Sequence, residues 1–181
     1  MKAISVYQPA ATFIAMKWKT IETRTHARFE LLEGQRIAIH AAKKDVRVPA
    51  SLYDYLPAAL RDSLQLSNIL LSMDTNRGKI VCTAQVTKAR WAVMVDFDLR
   101  KAWNEQAMCE VGGKFLLFLE EIEPINPVPF RGRQGIFNVP DELVKKLIAL
   151  RPRAAQGREA DSHSASNSWP RGSSAHSSLT T

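Results

Sequence analysis

Lys19-Thr20-Ile21-Glu22-Thr23-Arg24 is the stretch on which the reading of this chain turns, with Gln8-Pro9 upstream of it and Ile37-Ala38-Ile39-His40-Ala41-Ala42-Lys43 downstream. Side chains alternate along a strand, so Thr20, Glu22 and Arg24 share one face, Ile21 and Thr23 the other, and Lys19 stands at the strand's start. The segment from Arg36 to His40 alternates in the same way, which turns His40 away from Ile37 and Ile39. Pro9 suits the first position of a helix, where no amide hydrogen is needed, so a short strand over Ala3–Val6 and a helix from Pro9 to about Lys17 are expected. One short span thus gathers basic clusters, a carboxylate, a histidine and an amide near element ends, where side chains converge on a cleft.

Outward from this span, Asp45 to Asn76 reads as a helical insertion, with Leu52, Leu56, Leu60 and Leu64 at spacings of four. Lys79 to Thr87 alternates as a strand, and Asp98 can cap a helix of Leu99 to about Cys109 whose Leu99, Ala102 and Trp103 form a core stripe. The apolar run Phe115–Leu119 suits a strand buried on both faces. A connection punctuated by Pro124, Pro127 and Pro129 then leads into Arg131-Gly132-Arg133-Gln134-Gly135. Two arginines among glycines let cations and backbone approach a ligand closely; the alternative is a surface turn with solvated arginines. Pro140-Asp141-Glu142 opens a last helix, with its acids in the first turn as the helix dipole favours. From Arg151 the composition turns to serine, alanine and arginine, so one domain over 1–150 and a disordered tail over 151–181 are expected.

The chain has 181 residues, 45% hydrophobic and 24% charged, which are globular values, and a net charge of +7. The tail holds four arginines and two acids, so +5 remains with residues 1–150. A basic surface favours polyanions such as nucleic acid. Cys82 and Cys109 have neither metal-ligand spacing nor disulfide density, so reduced thiols, no metal and no cofactor are expected. No run approaches the roughly 20 apolar residues that span a bilayer, and the expected location is the cytoplasm.

Gln8-Pro9, Lys19 to Arg24, Ile39-His40-Ala41-Ala42-Lys43 and Gly132-Arg133-Gln134-Gly135-Ile136-Phe137, taken together and in this order, resemble the ASCH domain. The resemblance covers roughly residues 2 to 150. It implies an α+β chain: a PUA-like β-barrel with flanking helices, here carrying a helical insertion, whose cleft near the Lys19 strand receives RNA or a nucleotide. Family members often carry an aromatic residue after the Gln-Pro pair and a glycine two residues before the motif lysine; this chain has Ala10 and Lys17 there. Some small relatives hydrolyse the amide of N4-acylated cytidine with a lysine, a threonine and a glutamate. Lys19 matches that lysine, whereas Glu22 occupies the threonine position.

Three functions follow. As a binding module, the chain would hold phosphates with Lys17, Lys19, Lys43, Arg131 and Arg133 while Gln8, Glu22 and His40 read a base or sugar, with Arg24 and Gln134 also among the ligand contacts. As an amidohydrolase of a modified nucleoside, it would use Lys19 as general base, Glu22 to orient it, Arg24 or Arg133 for the oxyanion and His40 as the alternative base. As an adaptor, it would present the helical insertion and tail to a protein. A structural ion pair with a solvated lysine is the bland alternative for Lys19, Glu22 and Arg24.

Overall fold

The computed structural model describes residues 1–44, 55–56, 73–93 and 96–149. Most of the insertion and all of the tail lie outside the described residues. The elements in chain order are β1 (Lys2–Val6), α1 (Ala10–Ala15), β2 (Ile21–Arg24), a 3-10 helix (Ala27–Leu32), β3 (Arg36–Ala41), β4 (Lys79–Trp91), α2 (Phe97–Ala107), β5 (Phe115–Pro129), β6 (Ile136–Asn138) and α3 (Asp141–Ala149). The six strands form one mixed half-barrel sheet in the order β2-β5-β4-β3-β1-β6. Only the β1–β3 pair is parallel, with Val6 beside Ala41. The class is therefore α+β, as expected.

Alternation sorts the sheet's two faces. Ile4, Val6, Ile37 and Ile39 point to the main core, where Ile14 of α1 and Phe29 of the 3-10 helix join them. Ala3, Ala38 and Phe137 point the other way, onto the face where Leu147 of α3 packs. His40 follows Ala38 to that second face and meets Phe130 and Phe137 edge-on at 6.5 and 6.1 Å. Trp103 and Ala107 of α2 pack against Ile21 and Leu116, whereas Leu99, expected in the same core stripe, lies exposed one turn earlier.

Several boundaries differ from the sequence expectation: α1 is shorter, running Ala10–Ala15, and β4 longer, reaching Trp91. Helix α2 is capped by Asp96, whose carboxylate accepts the Leu99 amide at 2.9 Å, so Asp98 lies inside the first turn. Strand β5 runs straight through Pro124, Pro127 and Pro129. It can do so because β2 pairs only with Phe115–Phe118, leaving the later residues an edge where a missing N–H costs no ladder bond.

Lys17 ends α1 in the left-handed region at φ 63. The Trp18 amide returns to the Phe13 carbonyl, the Lys17 amide returns to the Ile14 carbonyl, and the Trp18 and Phe13 rings touch at 5.7 Å. This is a Schellman ending, whose left-handed position favours glycine. Lys17→Gly is expected to stabilise the chain by about 1 kcal/mol, a Tm rise of roughly 2–4 °C by calorimetry.

Candidate functional site

A cleft of about 1340 Å³ opens where the parallel strands β1 and β3 end. Its walls come from the residues after β1, the β2 strand with the turn that follows it, the residues after β3, and the loop between β5 and β6. Among the described residues, eight bases and one acid, Glu22, line it.

The floor is a buried ionic frame. Lys19 is 4% exposed; its Nζ donates to the Ile21 carbonyl at 2.7 Å and to the Ala107 carbonyl, and stands 3.6 Å from Glu22 Oε2. Two carbonyls accept from the ammonium and the Glu22 carboxylate pairs with its charge, and one of the carbonyls belongs to the last residue of α2, where the helix dipole favours a cation. Glu22 Oε1 meets Arg24 Nη2 at 3.3 Å. Arg24 also donates to the Ser5 carbonyl at 3.0 Å and lies over the Phe29 ring at 4.7 Å. The sequence placed Glu22 and Arg24 on one strand face, and the structure joins them there.

The Arg131–Gly135 loop is pinned to the sheet by His40. Its Nε2 donates to the Phe130 carbonyl at 3.0 Å, its Nδ1 lies 3.1 Å from the Ser5 hydroxyl, and that hydroxyl donates to the Arg133 carbonyl at 2.9 Å. Gly132 lies flat against the imidazole: a Cβ there would stand 2.2 Å from His40 Cε1 and 2.8 Å from Ser5 Oγ. Burial holds the His40 pKa below the ordinary histidine value, against hydrogen bonds to the Phe130 and Gly78 carbonyls that favour the charged ring.

Other expected ligand contacts divide. Lys43, Arg131, Arg133 and Gln134 are exposed on the cleft wall. Gln8 is 4% exposed and held within the fold: its Oε1 accepts from the Thr12 amide and hydroxyl, and its Nε2 donates to the Met73 carbonyl. Lys17 is exposed but does not line the cleft. Sequence reasoning passed over Tyr7, Arg28 and Lys44, which also line it. For Tyr7 the available signal was its place directly before Gln8-Pro9.

Five cleft cations, Arg28, Lys43, Lys44, Arg131 and Arg133, are exposed, and their side chains make no ion pair or hydrogen bond among the described residues. Among the described residues no cluster of three His, Cys, Asp or Glu could hold a metal, and no helix is long and apolar enough to cross a membrane. Cys82 is buried in the core, which pushes its thiol pKa far up, while Cys109 is half-buried on the cleft wall.

No protein-family model matches the chain, and no curated protein matches it. Among solved structures it is similar to the ASCH protein of Zymomonas mobilis, at 17% identity and a TM-score of 0.49, over 83% of this chain and 95% of that one. Two single-substitution variants of that protein match at 17% and 16% identity, with TM-scores of 0.49 and 0.44, over 83% of this chain and 96% and 98% of theirs. The structural neighbours are thus ASCH proteins.

Proposed function

We propose that this chain is an ASCH-type recognition module whose cationic cleft binds RNA or a nucleotide. One observation carries the reading: five exposed, uncommitted cations converge on a cleft whose single carboxylate is already matched by Lys19 and Arg24. Such a surface gains free energy when phosphates replace its counterions. Lys43, Arg131 and Arg133, with Arg28 and Lys44, hold phosphates in this reading, and Gln134 reads a base or sugar edge. Lys19, Glu22 and Arg24 form the frame beneath them. His40 fixes the arginine loop.

The test is anisotropy of a labelled single-stranded RNA across a salt series. Each phosphate contact on a single strand contributes about −0.7 to the slope of log K against log salt, so five contacts imply a loss on the order of a hundredfold between about 50 and 200 mM. A flat response would remove the phosphate reading. The amide-hydrolysis alternative needs Lys19 Nζ to reach the substrate, whereas it is 4% exposed and turned to the Ile21 and Ala107 carbonyls beside Glu22. N4-acetylcytidine is therefore expected to survive incubation with the protein unchanged by chromatography. Turnover that disappears in Lys19→Ala would put catalysis in place of recognition.

A further inference from the structure

The cleft's aromatic residues are not equivalent. Phe29 is buried beneath His26, ring centroids 5.1 Å apart and planes 6° from parallel. Phe130 stacks on Phe137 at 5.9 Å and meets the edge of His40. Tyr7 is 47% exposed, and its ring joins no aromatic or cationic contact among the described residues. Its backbone is nevertheless fixed, because it follows β1 and its carbonyl accepts the Ala11 amide at 3.1 Å. A rigid mount carries a bare ring.

Cation-bearing segments lie on both sides of the strand that leads into Tyr7. The parallel register sets Val6 beside Ala41, and the Ala42 amide donates to the Val6 carbonyl, so Lys43 lies just beyond Tyr7 on the β3 side. On the β6 side the Ser5 hydroxyl ties down the Arg133 backbone. A nucleotide within a strand has a phosphate on each side of its base, whereas a free 5′ nucleotide has phosphate on one side only. Arg131, Arg133 and Gln134 also line a second cavity of about 520 Å³ beyond the loop, with Asn138, into which a chain could continue. A duplex fits poorly, since its bases are already stacked and paired.

Resting on the cleft reading above, we infer that the ligand is single-stranded RNA, with one base stacked on Tyr7 and its two phosphates held by Lys43 and by the Arg131–Arg133 loop. A base lying on an aromatic face stabilises a complex without sequence preference, so Tyr7 sets strandedness rather than sequence.

The experiment compares a short labelled RNA, an abasic strand of equal length and an RNA hairpin, each titrated into the wild-type chain, Tyr7→Phe and Tyr7→Ala. Tyr7→Ala is expected to weaken binding of the base-bearing strand roughly 5- to 150-fold, while Tyr7→Phe binds as wild type. The abasic strand should bind wild type and Tyr7→Ala alike, with one salt slope. Equal affinity of Tyr7→Ala and wild type for the base-bearing strand, at an unchanged salt slope, would overturn the stacking inference and leave the cationic cleft standing. Absence of salt-dependent binding by wild type to every strand would remove both. Circular dichroism melts of the two variants confirm that the comparison is made on folded protein.

Discussion

Gly132→Ala will loosen the arginine loop, lowering stability by about 1–3 kcal/mol in denaturant melts and flattening the salt dependence of RNA binding. The cause is space, not backbone freedom. The new methyl would stand 2.2 and 2.3 Å from His40 Cε1 and Nδ1, and the ring cannot swing aside without giving up the Phe130 carbonyl and the Ser5 hydroxyl. The loop must move instead, taking Arg131 and Arg133 with it. Losing two phosphate contacts makes the slope shallower by about 1.4. A double-mutant cycle with His40→Ala isolates the clash: removing the ring opens room for the methyl, so the double variant should be less destabilised than the two single effects summed. Strict additivity would show that the loop moves freely and that His40 does not hold it.

Glu22→Gln should cost more, about 3–5 kcal/mol, because it leaves Lys19 and Arg24 side by side without their shared counter-charge. Lys19 is 4% and Glu22 6% exposed, so little water is at hand to compensate. For a chain of this size the Tm falls by roughly 10 °C. Glu22→Leu combined with Lys19→Met and Arg24→Met replaces all three charges by apolar groups of similar bulk and should recover part of the loss. RNA affinity of folded Glu22→Gln, measured well below its Tm, should hold or rise, since the cleft loses the one acid that lines it among the described residues. A collapse of affinity without loss of stability would instead place Glu22 on the ligand.

The parts of this fold legible in the sequence are those whose pattern is local. Alternation along β4 places Cys82, Ala84 and Val86 on the core face, but a register shift between Ile80 and Cys82 sends Ile80 to the second face and Val81 to the main core. On β3, Ile37 and Ile39 define their face well enough to turn His40 the other way. The prolines of β5 read as a connection because a sequence does not reveal which strand edge will lack a neighbour. Gln8 reads as a ligand group because an amide has the same letter whether exposed or buried; its burial depends on Met73, 65 residues away. Lys17 likewise reads as a phosphate contact until the end of α1 shows it in a glycine's conformation. The cleft's cationic character is visible in the basic clusters. Their convergence is not, since it requires Val6 beside Ala41 and Ser5 against Arg133.

Strand β1 takes β3 as one neighbour and β6 as the other, with Lys2 opposite Asn138. During synthesis the first of these partnerships is available once Ala41 has been made, and the second only after Asn138. At about 5–20 residues per second the ribosome leaves that edge, with Ala3 and Ile4 on it, uncovered for roughly 5–20 s. An uncovered edge is a template for another chain's strand, and nascent copies on one messenger lie close together. The closing step of this sheet is therefore also its most exposed moment in the cell, and the one at which a holding chaperone has most to offer.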